Sequence, residues 1–325
     1  MRGLRQNRRR LDHAPANREA GAVRAVTGAH CRSPVLHHAV ALLEFVDAHA
    51  PVLALTGAGL STGSGIPAYR DAAGQWTRPA PVTQQDFLRS LAARRRYWAR
   101  SLLGWPHFAA ARPNAGHCAL TDMARHGVLA GLVTQNVDGL HERAGSVGVV
   151  ALHGGLERVL CLDCNAWFSR AELQERLVLT NPRWRELPVT ISADGEALPD
   201  EAAIAAAGLV PFQVPACAAC GGLLKPDVVF FGANVPPARA AAATRLLDDS
   251  RGLLVIGSSL SAYSGYRICR AALVRGLPVA VLSQGWTRAD GLPHLKLDAD
   301  CVATLARAQQ LGGRRRDFPT APRRE

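Results

Sequence analysis

The sequence predicts an α/β fold, a parallel sheet covered by helices on both faces and interrupted by a small metal-stapled module. Three observations predict it. Short apolar runs at 52–55, 129–133, 147–152, 228–231, 253–256 and 279–282 alternate with helical stretches, as in sheets buried on both faces. Several of these runs end in glycines or small polar residues, the usual place for ligands in open α/β sheets. Two Cys-x-x-Cys pairs interrupt the rhythm in the middle of the chain.

The bulk numbers fit one large domain with a sizeable core, or one large and one small. The chain has 325 residues, 48% of them hydrophobic. No apolar run approaches the ~18–20 residues that span a bilayer, so no membrane partner is expected. The net charge of +12 comes almost wholly from Arg, since Lys occurs only at Lys225 and Lys296, and it accumulates at both ends. Without basic residues interleaved with aromatics, that charge reads as a solvated surface rather than a nucleic-acid interface.

Residues 1–33 are Arg-rich and lack periodicity, which predicts a disordered basic tail. A mitochondrial transit peptide is the alternative, but such peptides are Ser-rich and only Ser33 is present, so a cytoplasmic location is expected. Val35, Ala39, Leu42, Leu43 and Val46 recur at helical spacing until Pro51, and the strand 52–55 follows. Gly57, Gly59, Gly63 and Gly65 come next. Glycines after a strand let a backbone approach a phosphate, or simply make a turn. Thr62 breaks the G-x-G-x-x-G spacing of hydride-transfer enzymes. Residues 75–115, containing "RRRYWARSLLGWP", read as a helical insertion.

Gln135, Asn136 and Asp138 sit where the strand 129–133 gives way to loop, a position suited to ligand contacts and equally to turn capping. His153 follows the run 147–152 and precedes two glycines. It is either a structural histidine or a general base, since its ordinary pKa lies near neutrality. Residues 158–224 hold Cys161/Cys164 and Cys217/Cys220, with 52 residues between the pairs. Two knuckles of this kind complete a tetrahedral S4 zinc site with no open position, hence a structural zinc. The other four of the eight cysteines are scattered, which fits a reducing compartment. Helices are predicted over 237–249 and 266–275. The runs 253–256 and 279–282 end in Gly257-Ser258-Ser259 and Ser283-Gln284-Gly285, and a second basic tail is predicted over 311–325.

In this order "GAGLSTGSGIPAYR", "TQNVDGLH", "LHG", the Cys quartet, "FFGANVP" and "GSSL" resemble the sirtuin family, within it the class II branch of mitochondrial sirtuins and their bacterial relatives. The resemblance spans about 34–310. It implies a Rossmann-type domain (34–157 and 225–310) with an inserted zinc module, and NAD and an acyl-lysine protein meeting in the cleft between them. The implied activity is NAD-dependent protein-lysine deacylation, yielding nicotinamide and O-acyl-ADP-ribose. Protein mono-ADP-ribosyl transfer or a weakly active NAD-binding scaffold are the alternatives. It further implies NAD contacts from Gly57, Ala58, Gly59, Ser61, Gly65, Ile66, Tyr69, Arg70, Trp76 and Thr77, and from Gln135, Asn136, Val137 and Asp138. Gly257, Ser258, Ser259, Ser283, Gln284, Gly285 and Cys301 complete that set. His153 matches the family's general base, Asn136 and Asp138 its nicotinamide and ribose contacts, and Val229 and Phe231 the strand that takes the peptide by β-augmentation. The chain departs from the family at Ala68 and Ala233, where acids are usual, and at Ser283, where Asn is usual. Tyr97 and Arg100, three apart on one helix face, match a pair that grips acidic acyl groups; the other reading is a packed, solvated helix.

Overall fold

The computed structural model describes residues 34–68, 75, 81–187, 189–191, 197–199 and 211–316. Its frame is a six-stranded parallel sheet in the order β11-β10-β9-β1-β2-β3. The strands are β1 (Val52–Thr56), β2 (Leu129–Thr134), β3 (Val150–Ala151), β9 (Gly252–Ile256), β10 (Val279–Leu282) and β11 (Leu295–Leu297). Successive side chains of a strand point to opposite faces, and here both faces are core. Val52 and Ala54 join one cluster with α1 (Pro34–His49), α5 (Ala115–Arg125) and α11 (Cys301–Arg316); Leu53 and Leu55 join the other with α9 (Pro237–Asp248) and α10 (Tyr263–Val274). Leu254 and Leu253, and Ala280 and Val279, divide in the same way. Burial on both faces is why these strands read as unbroken apolar runs.

The middle of the chain builds a second unit. An antiparallel sheet, β5-β4-β8, comprises β4 (Gly154–Cys161), β5 (Trp167–Ser169) and β8 (Leu224–Val228); a separate pair is formed by β6 (Val189–Ile191) and β7 (Ala197–Pro199). Helix α7 (Arg170–Thr180) starts on a capping box between Ser169 and Glu172 and packs on β4. The region predicted as a helical insertion holds α3 (Gln84–Arg89) and α4 (Leu91–Ala110), capped by Thr83 and Ser90. Its Phe87, Trp98 and Leu102 share one core with Leu173, Leu177, Phe212 and Leu224 of the module. Insertion and module are therefore one packed body. Three further short helices are α2 (Ala58–Ser61), α6 (Leu140–Arg143) and α8 (Pro182–Arg185).

Four sequence expectations differ from the structure. The run 228–231 is not a strand of the parallel sheet. The strand lies earlier, as β8, and pairs with β4; Val228, Val229, Phe230 and Phe231 are apolar because they wall a cavity. The run 147–152 pairs only over Val150–Ala151, because Gly145 and Gly148 adopt positive φ and Val147 is exposed. The module's sheet extends past 158–224 on both sides, starting at Gly154 and running to Val228. Residues 311–316 continue α11 rather than beginning a tail. Residues 1–33 and 317–325 lie outside the described residues.

Gly154 is where the two units join. Its φ is +82°, and a Cβ there would lie 1.8 Å from the Asp227 carbonyl oxygen, so only glycine fits. Asp227 in turn is bound by Arg239 of α9 at 2.6 and 2.7 Å, tying β8 to the sheet domain.

Candidate active site

The carboxyl ends of β1, β2, β9 and β10 open into a cavity of about 1030 Å³, closed on its far side by α4 and by residues 228–235. Close backbone packing builds the floor. Gly57 donates to Ile256 O and Gly59 to Gly257 O. A Cβ on Gly57 would meet Ser258 Cβ at 2.7 Å, and one on Gly59 would meet Gly257 O at 2.9 Å. These glycines let two strand ends touch, while α2, too short to be a site in itself, begins between them.

The side chains of the β2 loop are held from several directions. Asn136 Nδ2 donates to Gly57 O and to Ser61 Oγ, each at 3.0 Å, and Ser61 Oγ donates to Asp138 Oδ2 at 2.7 Å. Asp138 Oδ1 accepts from the Leu140 amide. The buried Asp138 carboxylate thus acts on Ser61 and the start of α6 and does not line the cavity. Gln135 Oε1 accepts from Ser258 Oγ at 2.6 Å, linking the ends of β2 and β9.

His153 lies between the nucleotide-type strand ends and the 228–231 wall. Its Nδ1 lies 2.8 Å from Gln135 O. A carbonyl only accepts, so Nδ1 carries the proton and Nε2 is the basic nitrogen. Nε2 faces Ser264 Oγ at 2.7 Å, with the hydroxyl donating. Burial lowers the His153 pKa; the Gln135 carbonyl opposes this, and the nearby Arg239 cation adds to it. The ring is therefore neutral near pH 7 and able to take a proton. Its backbone carbonyl accepts from Val229 N at 2.8 Å.

Of the residues assigned from the sequence, Gly57, Ala58, Gly59, Gln135, Asn136, Val137, His153, Gly257, Ser258, Ser259, Ser283, Gln284 and Cys301 line this one cavity, with Val229, Phe231, Tyr97 and Arg100. Ser61, Ile66 and Asp138 stand behind its wall as buried residues. Gly65 caps the 3-10 turn after α2, and Gly285 donates its amide to Asp298. Tyr69, Arg70, Trp76 and Thr77 lie outside the described residues. Cys301 Sγ approaches Gly59 O at 3.4 Å. Phe231 O accepts from Gln84 N and Val229 N is committed to His153, so an added peptide strand must pair with other backbone groups of these residues. Tyr97 packs edge-on against Phe87 and Trp98 and tilted against Phe230 while also lining the cavity, as Arg100 does. Reading the sequence passed over Ser264, Trp105 and Phe108. Ser264 was visible within "GSSLSAYSGYR", but only its distance to His153 marks it out.

Away from the cavity, the ligand atoms of Cys161, Cys164, Cys217 and Cys220 all lie within 4.8 Å of one another. Two sulfur pairs stand 3.5 and 3.8 Å apart. Zn–S bonds of about 2.3 Å in a tetrahedron place sulfurs about 3.8 Å apart, so the set fits one zinc. The knuckles are built alike. Asn165 N donates to Cys161 O and Gly221 N to Cys217 O, and both donors have positive φ, 59° and 75°. Asp163 accepts from Leu223 N and bridges the knuckles.

Residues 57–264 match the family model described as the Sir2 family. An "NAD-dependent protein deacetylase" of Xanthomonas campestris is 51% identical over 270 residues, covering 83% of this chain and 90% of that protein. "NAD-dependent protein deacetylase 1" of Streptomyces coelicolor is 48% identical over 272 residues, covering 83% and 89%. Among solved structures, a Sir2 protein with a p53 peptide and NAD+ superposes with a TM-score of 0.64 at 27% identity, covering 84% of this chain and 98% of that one. A Sir2 protein bound to acetylated peptide gives 0.63 at 25%, with the same coverage. Strand order, cavity, cysteine cluster and these likenesses agree: the chain belongs to the Sir2 family.

Proposed function

We propose that this protein removes acyl groups from protein lysines at the expense of NAD, releasing nicotinamide and O-acyl-ADP-ribose. The observation that carries the reading is His153, a neutral imidazole with a fixed tautomer at the junction of the two walls of one cavity. The relatives named as NAD-dependent protein deacetylases and the Sir2 structures holding NAD+ and acetylated peptide support it.

NAD supplies an electrophilic ribose carbon once nicotinamide leaves. The residues of this chain do the rest. Glycine-mediated packing of the β1 and β9 ends makes room for a pyrophosphate. Asn136, fixed through Ser61 and Asp138, orients the nicotinamide end. His153 Nε2 takes the proton of a ribose hydroxyl, and Nδ1 keeps its bond to Gln135 as charge develops on the ring. The acyl-lysine enters along Val229 and Phe231, with its acyl end toward Tyr97, Trp105 and Phe108. No step passes through zinc, whose four thiolates leave no open position.

The test incubates zinc-loaded protein with NAD and peptides carrying acetyl, longer or carboxylate-bearing acyl-lysine, followed by mass spectrometry. Free lysine and O-acyl-ADP-ribose are expected in equal amounts. His153→Ala should lose about 10²- to 10⁴-fold in kcat while remaining folded. Label moving from NAD onto protein without acyl loss would favour ADP-ribosyl transfer instead, and an unchanged rate in the alanine variant would remove His153 from the reaction.

A further inference from the structure

Two imidazoles that the reaction does not use lie edge-to-face beneath the nucleotide end of the cavity. His117 of α5 is fully buried and His141 of α6 is 1% exposed, with ring centroids 4.8 Å apart. Their protonation pattern follows from their neighbours. Asn114 N–H donates to His117 Nδ1, so the neutral ring carries its proton on Nε2. Thr56 Oγ1 gives its one proton to Thr134 Oγ1, so at the 2.9 Å contact between His141 Nε2 and Thr56 Oγ1 the histidine donates. That leaves His141 Nδ1 as a bare acceptor.

His117 Nε2 and His141 Nδ1 are both buried without a hydrogen-bond partner. One is a donor and the other an acceptor, on adjacent rings. A single hydrogen bond through one water molecule would satisfy both. With that link made, the bonds would form one proton-ordered chain. It would run from Asn114 N–H through His117, His141 and Thr56 to Thr134 Oγ1, which also accepts from the Asn136 backbone N–H.

Both ends of this chain grip the nucleotide loops. Asn114 Nδ2 donates to Leu60 O and Ser64 Oγ of the glycine-rich loop, at 2.8 and 3.0 Å. Asn136 holds Gly57 O and Ser61 Oγ of the same loop from the other side. We infer that His117 and His141 are positioning residues for the NAD-consuming reaction: a buried, directional imidazole pair that sets the glycine-rich loop and the Asn136 loop in register. The inference rests on the deacylase reading for its reaction, but its test does not need turnover.

Long-range ¹H–¹⁵N correlation of the imidazoles near pH 7 should show Nε2–H tautomers for His117 and His141 and the opposite, Nδ1–H, for His153. An Nδ1–H tautomer at His117 or His141 overturns the chain. Thr56→Val cuts it between His141 and Thr134. Losing one buried hydrogen bond at this place should weaken NAD binding, read by calorimetry, about tenfold. In the same variant KM for NAD should rise with kcat changed by less than about threefold, and Thr56→Ser should restore both. NAD affinity left unchanged by Thr56→Val, with only the melting temperature lowered, would reduce the pair to packing and overturn the inference. If Thr56→Val does not fold, Thr134→Val cuts the next link and is read in the same way. Protein that binds NAD with this pattern but removes no acyl group would defeat the deacylase reading alone.

Discussion

The parallel sheet and the cysteine module reach rigidity by different physics. In the sheet, both faces of β1, β9 and β10 are buried, and each strand end is fixed by glycine contacts and buried hydrogen bonds. The module has an antiparallel sheet of three strands, a separate two-stranded pair, and a core it shares with α3 and α4. Its two chain segments meet at four sulfurs. One half is held by burial spread over many residues, the other by that shared core and by one point of coordination.

The largest effect that breaks this comparison is loss of the metal. Structural zinc contributes on the order of 10 kcal/mol to folding of such a module. Cys161→Ser or a strong chelator should therefore unfold the module, and deacylation should fall below detection while the sheet domain keeps its helical circular dichroism. A zinc-free variant with full activity would show that the module holds without coordination. Gly154→Ala tests the seam next. With Asp227 O only 1.8 Å from the added Cβ and φ at +82°, stability should fall by about 3 kcal/mol or more, read from the denaturant midpoint. Gly155→Ala, with nothing within 4 Å, is the control and should cost little.

The smallest effect belongs to the sheet half alone. Burial lowers the His117 pKa to about 4 and, with His117 beside it, the His141 pKa to about 3, against an ordinary 6.5. The unfolded chain then binds protons that the folded one refuses. The stability these groups allow is fully present above pH 6.5 and is lost as pH falls toward 4, by about 1.4 kcal/mol per pH unit for each group. With zinc kept saturating, His117→Gln should halve the slope that these two groups give to unfolding free energy against pH between 6 and 5. An unaltered slope would mean that the pair is not held neutral.

The same contrast explains what the sequence revealed. Strands β1, β2, β9 and β10 were legible because two-sided burial leaves an apolar run, and the Cys quartet because thiolate pairs have few other uses. Strand β4 was missed because Gly154–Cys161 opens on two glycines and carries two adjacent exposed residues, Glu157 and Arg158, which break the alternation that marks a half-buried strand, and β11 because three residues carry no periodicity. The run 228–231 misled because a cavity wall and a buried strand demand the same residue types. Within the site, motif residues were found, but partners were not. Ser264 with His153 and Thr56 with His141 join segments 111 and 85 residues apart, and only the fold brings them together, whereas Asn114 and His117, three residues apart, form a local capping box.

His153 is followed directly by β4, whose eight residues end on Cys161. At about 3.3 Å per residue the proton acceptor and the metal sit at opposite ends of one strand roughly 26 Å long. That strand pairs with β8, which leads into the 228–231 wall bonded to His153. A compound that strips or distorts the zinc should loosen β4, β8 and that wall together, and in a screen would pass for an active-site inhibitor without ever entering the cavity.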